Sequence, residues 1–158
     1  SDQYPYFQGM YKPDEENNVK LFKAMAKNLK CEIVESSENG NEATVKAHIT
    51  TLDFAKIMSN ISSRLMVEYM TPGNSGKDMD KVFSGIIDDE IKYADKKESD
   101  TVFNFVKDKK GNWTLDSNVA IYDDICGGYL QYYFQQNTLG KYANEIKEKQ
   151  QSETTTQN

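Results

Sequence analysis

The chain has 158 residues, and its 25 acidic residues against 19 basic ones give a formal net charge of −6. It contains one arginine, Arg64, one histidine, His48, and two cysteines, Cys31 and Cys126. An acidic chain with a single guanidinium has little with which to bind a phosphate backbone, so nucleic acid is excluded as a partner. One histidine and two distant cysteines cannot assemble the common type of zinc site, and we expect no metal and no cofactor.

The two ends of the chain differ in composition from its middle. Residues 1–15 combine two prolines with four aromatic residues, which predicts an irregular arm packed by its rings. We expect one α+β domain over 16–146 and a polar, disordered tail over 147–158. Because the chain opens at Ser1 without a methionine, we also expect an upstream segment in which a secretory signal or a lipidated cysteine would lie.

The first part of the domain reads as a helix followed by a hairpin. Apolar residues recur at helical spacing over 16–29, and residues 31–37 and 42–50 then alternate as two strands. An Asn-Gly pair at 39–40 joins them, and both residues tolerate the positive φ of a tight turn. His48 falls on the face opposite the apolar residues of its strand, which predicts a solvated strand residue rather than a catalytic base.

Two helices and a second hairpin follow. Asp53 is predicted to cap a helix that runs to Met70. The Pro- and Gly-containing loop over 71–77 lacks the spacing of a phosphate-binding loop and is predicted to be a plain connector. A second helix is predicted over 77–97, and the next hairpin has its turn at 109–112.

The last predicted helix begins near Val119 and contains Gly127 and Gly128. A glycine inside a helix costs about 1 kcal/mol relative to alanine, so this pair indicates a kink or the close approach of another backbone. The order helix, hairpin, helix, helix, hairpin, helix predicts an α+β fold with helices on one face of a curved antiparallel sheet.

Few residues are placed for catalysis. The acidic runs at 88–90 and 123–124 are not ready acid–base pairs, because neighbours on a helix point about 100° apart. The second run is predicted to complement the dipole of the last helix, in whose first turn and a half it lies. A nucleophile would need His48, and a contact between Cys31 and His48 across the first hairpin stays open.

Aromatic and thioether side chains on the middle helices and the second hairpin could line a cavity between the sheet and its helices; their simple packing together is the alternative. The candidate pocket residues are Met58, Met66, Tyr69, Phe83, Phe105, Trp113, Tyr122 and Asp124. Cys31 and Cys126 permit a disulfide that would close a large loop, and the alternative is two small buried thiols.

Three segments resemble a family of uncharacterised lipoproteins of low-GC Gram-positive bacteria. They are the run over 28–58, the hairpin TVFNFVKDKKGNWTLDSN and the segment AIYDDICGG. In the family pattern the second hairpin ends in Gly-Lys-Trp, and here Asn112 replaces the usual lysine. The resemblance covers about residues 16–130 and implies a cystatin-like or nuclear-transport-factor-2-like fold, in which a curved sheet wraps helices into a cone.

This resemblance also implies a location and a class of function. Members are extracytoplasmic, either secreted or tethered by an amino-terminal lipid, which would be their only contact with the membrane. We therefore expect a non-enzymatic cell-envelope module that binds a small apolar ligand or an envelope protein. The alternative is a small enzyme of the same fold group with a carboxylate or tyrosine in the cone, Asp124 or Tyr122, as general base. A third interpretation is a homodimer formed through Tyr129, Tyr132 and Tyr133.

Overall fold

The computed structural model describes residues 16–137, so the predicted arm over 1–15 and the predicted tail over 147–158 lie outside the described residues. The helices are α1 (Glu16–Asn28), α2 (Phe54–Met70), α3 (Met79–Lys92), α4 (Val119–Ile125) and α5, which covers 129–137. The strands are β1 (Lys30–Asn39), β2 (Glu42–Leu52), β3 (Lys96–Lys107) and β4 (Trp113–Asp116). None of the helices in this part of the chain is both long and apolar enough to cross a membrane.

The four strands form one open antiparallel sheet in the order β1-β2-β3-β4. Each hairpin turns at a glycine with positive φ, Gly40 at 64° and Gly111 at 83°. The helices α2 and α3 fill the connection between β2 and β3. The predicted α+β class and both predicted hairpins are confirmed.

The core lies where one face of the sheet meets the helices. Alternate residues of β2 are buried on this face: Ala47, Ile49 and Thr51 are each 2% exposed or less. Phe54 follows directly at the start of α2 and is 1% exposed, so the β2–α2 junction lies at the centre of the core. The helices and the turn after α4 add further buried residues to the core, namely Ala24, Met25, Ile57, Ile61, Ile86, Ile87 and Cys126.

The predicted helix over 77–97 is wrong at its C-terminal end. The helix α3 ends at Lys92, and β3 begins at Lys96 with the polar run KKESD. This run is held as a strand by its register against β2, where Lys96 pairs with Leu52 and Asp100 with His48. Because its side chains are polar on both faces, the apolar alternation that marks a strand is absent there.

The predicted single helix from Val119 is also wrong. It is broken by a turn at 126–128, in which Gly127 and Gly128 have φ values of 60° and 82°. A Cβ on Gly127 would stand 2.0 Å from the carbonyl oxygen of Leu52. The predicted close approach of another backbone is thus confirmed, and it ends α4 rather than kinking a continuous helix.

One of the two edges of the sheet is β1, in which all ten residues are exposed. Its register against β2 shifts between Ile33 and Glu35, which places a bulge at Val34. Glutamates at 32, 35 and 38 lie along the same strand. A bulge and a row of charges are devices that keep an edge strand from pairing with another chain, so the free edge is protected.

Candidate functional site

An apolar groove lies in the helix layer between α1, the first turns of α2 and α5. We call it the helix-layer groove; its cavity volume is about 80 Å³. Its lining residues are Asn18, Leu21, Phe22, Met25, Phe54, Met58 and Tyr129. Phe22 is 49% exposed, so the groove opens to solvent beside its ring. The Asn18 amide and the Tyr129 hydroxyl are the polar groups among these side chains.

The first wall of the groove is α1, whose orientation is fixed by two different contacts. Met25 and its neighbour Ala24 are buried in the core. On another side of the helix, the Lys20 ammonium donates to Ser84 Oγ at 2.8 Å and to an Asp88 carboxylate oxygen at 3.0 Å, both on α3. Leu21, Phe22 and Met25 are the apolar residues of α1 that line the groove.

The second wall is α5, which the glycine turn directs back along α2. The Ala55 amide donates to the Gly127 carbonyl at 3.2 Å, which joins the turn to the start of α2. The Gln131 amide donates to Asp123 Oδ1 at 3.0 Å and so satisfies one free N–H at the start of α5. Further along, the Tyr132 hydroxyl lies 3.0 Å from Ser62 Oγ on α2. These contacts place Tyr129, one turn earlier, at the mouth of the groove.

The volume of the groove limits what it can hold. Sites for drug-sized ligands have volumes of roughly 300–1,000 Å³, and a cavity of about 150 Å³ holds one benzene molecule. At about 80 Å³ the groove takes only the end of one aliphatic chain, comparable to the branched end of a leucine side chain. A whole small ligand of ordinary size would remain mostly outside it.

The groups around the groove are uncharged at neutral pH. Burial raises the pKa of the Tyr129 hydroxyl. Burial and the nearby charge of Asp123 raise the pKa of the Cys126 thiol, which lies in the adjacent turn, to about 11. With no charged side chain in its lining, the groove favours an apolar group over a charged one.

The eight candidate pocket residues lie in different parts of the described fold. Met58 lines the groove, Phe83 packs against the core cluster, and Met66 and Tyr69 are exposed near the end of α2. Phe105 on β3 and Tyr122 and Asp124 on α4 are half-buried, while Trp113 is 38% exposed with the Lys107 ammonium 4.4 Å above its ring. Apart from Met58, none of the eight candidate residues lines the helix-layer groove.

Sequence reasoning missed the residues that do form the groove. Phe22 and Met25 belong to the apolar residues that recur at helical spacing over 16–29, and Tyr129 entered only as a dimerisation candidate. The available signal was the width of the apolar face of α1. Leu21, Phe22 and Met25 make this face wider than packing against one neighbouring element requires. The spatial partner, Tyr129, depends on the glycine turn and could not be inferred from α1.

The carboxylates singled out from the sequence have structural partners. Asp124 accepts a hydrogen bond from the Thr101 hydroxyl at 2.7 Å. The Arg64 guanidinium donates to Asp89 at 3.0 Å and to Glu90 at 2.8 Å. The expectation that residues 123–124 complement the N-terminal dipole of their helix is wrong, because α4 ends at Ile125 and they lie in its last turn.

The open question of a Cys31–His48 pair is answered by the register of the first hairpin. Cys31 pairs with Ile49, while His48 pairs with Glu32. Because successive strand residues point to opposite faces of a sheet, the thiol and the imidazole lie on opposite faces. His48 is a solvated strand residue as predicted, 35% exposed in its side chain, with Nδ1 2.8 Å from Asp100 Oδ1.

Both cysteines are free thiols in this structure, Cys31 exposed and Cys126 buried. Among residues 16–137, no group of three or more histidine, cysteine, aspartate or glutamate side chains is arranged to hold a metal ion.

Comparison with solved structures finds a structural neighbour. No family model matches the chain, and no curated protein matches it either. Among solved structures, the chain is similar to a proposed lipoprotein (ycdA) from Bacillus subtilis, with a TM-score of 0.48 and 17% sequence identity. The match covers 80% of this chain and 42% of that one, so the chain spans about two fifths of the neighbour's length. The cystatin-like or nuclear-transport-factor-2-like fold implied by the sequence resemblance is not confirmed.

Proposed function

We propose that this domain is a non-enzymatic interaction module of the cell envelope, which binds a partner protein by taking one aliphatic side chain into the helix-layer groove. The observation that supports this most directly is the size and lining of the groove, about 80 Å³ between apolar side chains of three helices. A single buried anchor in a pocket is the usual energetic centre of a protein interface. The envelope location and the cone-like, cystatin-like fold come from the sequence resemblance and belong to the proposal.

A partner protein fits this groove better than the small apolar ligand expected from the sequence. A ligand of ordinary size buries most of its surface in its site, which a cavity of about 80 Å³ does not allow. A side chain on a partner needs to bury only its own end, while the surrounding chain rests on the exposed Phe22 ring. The enzyme alternative has less support, since Asp124 already accepts the Thr101 hydroxyl and lies outside the groove.

Methionine methyl groups allow a direct test. Met25 and Met58 line the groove, whereas Met66, Met70 and Met79 lie at the far end of α2 and the start of α3. The protein would be labelled with ¹³C at the methionine methyls and titrated with N-acetyl-leucine N-methylamide. We expect the Met25 and Met58 resonances to shift with a Kd on the order of 10 mM, because burial of one leucine side chain contributes up to about 3 kcal/mol, which corresponds to about 6 mM before the costs of association.

Two matched controls separate groove binding from general effects. N-acetyl-asparagine N-methylamide has nearly the shape of the leucine compound but a polar end, and it should shift neither resonance. Phe22→Ser should weaken the leucine response roughly fivefold or more, because it removes one wall of the groove. Val106→Ser removes an equally exposed apolar side chain, 49% in both cases, from the sheet and should leave the response unchanged.

The proposal fails if the leucine compound leaves Met25 and Met58 unshifted at tens of millimolar. It also fails if the asparagine compound shifts them equally, since the groove would then show no preference for an apolar group.

A further inference from the structure

The helix-layer groove lies beside the point where residues 1–15 join the described fold. We call these residues the arm; the next residue, Glu16, is the first of α1, and Asn18, Phe22 and Met25 of this helix line the groove. Met25 lies about 14 Å from Glu16 along the helix axis, since a helix rises 1.5 Å per residue. An extended chain covers that distance in about five residues. The arm is therefore long enough to reach every level of the groove.

The size of the groove selects one side chain of the arm. The large apolar side chains in the arm sequence SDQYPYFQGMYKPDE are aromatic rings and Met10. A cavity of about 150 Å³ holds one benzene molecule, so a groove of about 80 Å³ is too small for a ring. A methionine side chain is unbranched, ends in a methyl group and fills irregular gaps. Phe22, Phe54 and Tyr129 line the groove with aromatic rings, with which a thioether sulfur makes favourable contacts.

The connection between Met10 and α1 allows this side chain to enter the groove. Six residue steps separate Met10 from Glu16, and an extended connection of that length spans up to about 20 Å. Pro13 lies within it and disfavours a helical continuation of α1 back towards Met10. The arm can thus turn back along α1 to the groove.

The other end of the chain is less well placed to supply the occupant. Tyr129 lies at the mouth of the groove, and α5 leads away from it over 129–137, a distance of about 12 Å. The first leucine after α5 is Leu139, which would have to return along the whole helix. The arm instead joins α1 two residues before Asn18, which lines the groove.

We infer that the arm is a ligand of the helix-layer groove in the same chain, and that the Met10 side chain takes the place of the partner's aliphatic side chain. This inference rests on the proposed function and adds a regulator of the same groove. A short tether gives Met10 an effective concentration on the order of 10 mM, and one aliphatic side chain binds with a Kd of similar size. Met10 therefore fills the groove in roughly half of the molecules, and a partner with further contacts displaces it.

Methionine methyl resonances of the full chain test the inference directly. The chain has six methionines, and Met10 is the one in the arm. In protein without ligand we expect nuclear Overhauser cross-peaks from the Met10 methyl to those of Met25 and Met58, which line the groove. The relative intensity of these cross-peaks should stay the same on tenfold dilution, because the contact is within one chain. N-acetyl-leucine N-methylamide at about ten times its Kd should remove most of their intensity.

Substitutions in the arm give a second readout, the Kd of the leucine compound. Met10→Ser should lower this Kd about twofold, because a competitor that fills about half of the grooves is lost. Met10→Leu should keep the wild-type Kd, since the end of a leucine side chain also fits the groove. Leu139→Ser is the control at the other end of the chain and should keep the wild-type Kd as well.

The inference is overturned if Met10 shows no cross-peak to Met25 or Met58, or if Met10→Ser leaves the Kd unchanged. Cross-peaks that vanish on dilution would overturn it too, because a second copy would then supply the arm. A lower Kd in Leu139→Ser would identify the other end of the chain as the occupant. The proposed function fails on a different result, namely a leucine compound that binds neither the wild type nor Met10→Ser, so the two failures are distinguishable.

Discussion

Replacing Gly127 by alanine should be the most damaging single-methyl change in the turns of this domain. The new Cβ would stand 2.0 Å from the Leu52 carbonyl oxygen and 3.1 Å from the Phe54 amide nitrogen, both backbone atoms of the β2–α2 junction. Alanine at a φ of 60° costs about 1–2 kcal/mol, and relieving the overlap costs a further 1–3 kcal/mol or so. We expect a loss of about 3 kcal/mol in the free energy of unfolding, measured by urea denaturation.

Gly111→Ala is the matched control for this loss. Gly111 has a φ of 83°, and nothing lies within 4 Å of the position its Cβ would take. The control therefore carries the backbone strain without the overlap, and it should lose about 1–2 kcal/mol. In thermal unfolding, Gly127→Ala should melt roughly 10 °C below the wild type, at about 2–4 °C per kcal/mol for a chain of this size. Equal losses in the two variants would refute the claim that close packing against Leu52 requires the glycine.

Three further predictions concern single side chains. The hydrogen bond to Asp100 raises the pKa of His48 above 6.5. The stability that this hydrogen bond contributes should therefore be complete below about pH 6.5 and be lost as the pH rises through the raised pKa. A stability difference between wild type and Asp100→Asn that grows with pH would contradict this. The Cys126 thiol is buried and its pKa is raised to about 11, so it should react with a disulfide reagent at pH 8 only after unfolding, whereas the exposed Cys31 should react at once. Two fast-reacting thiols per native chain would count against the burial of Cys126. Asp53→Ala removes the acceptor of the Lys56 amide, 3.0 Å away, and should lower the free energy of unfolding by about 1 kcal/mol; an unchanged urea midpoint would show that the cap contributes nothing.

The element types were largely predictable, because short-range signals determine them. The Asn-Gly pair at 39–40 lies at the turn of the first hairpin, and Asp53 caps α2 as predicted. The start of β3 could not be predicted in this way, since its strand state depends on pairing with β2, a distant segment. The same holds for Gly127: its presence indicated close packing, but only the fold shows that the neighbour is Leu52 and that the helix ends there.

The candidate site was less predictable than the fold. A cavity between sheet and helices was inferred from large side chains that share helical or strand spacing, and spacing alone does not show how far each element extends beyond the core. Met66 and Tyr69 continue the pattern of α2 but lie exposed at its end. The helix-layer groove needs α5 to return along α2, and that path depends on a turn that the sequence pattern read as helix interior.

The most direct test of the central claim is the nuclear Overhauser effect between methyl groups in the presence of N-acetyl-leucine N-methylamide. If the helix-layer groove takes an aliphatic side chain, the leucine methyl protons should show cross-peaks to the methyls of Met25 and Met58, which line it. Cross-peaks only to Met66 or Met70, or none at ligand concentrations that saturate the chemical-shift response, would contradict the claim.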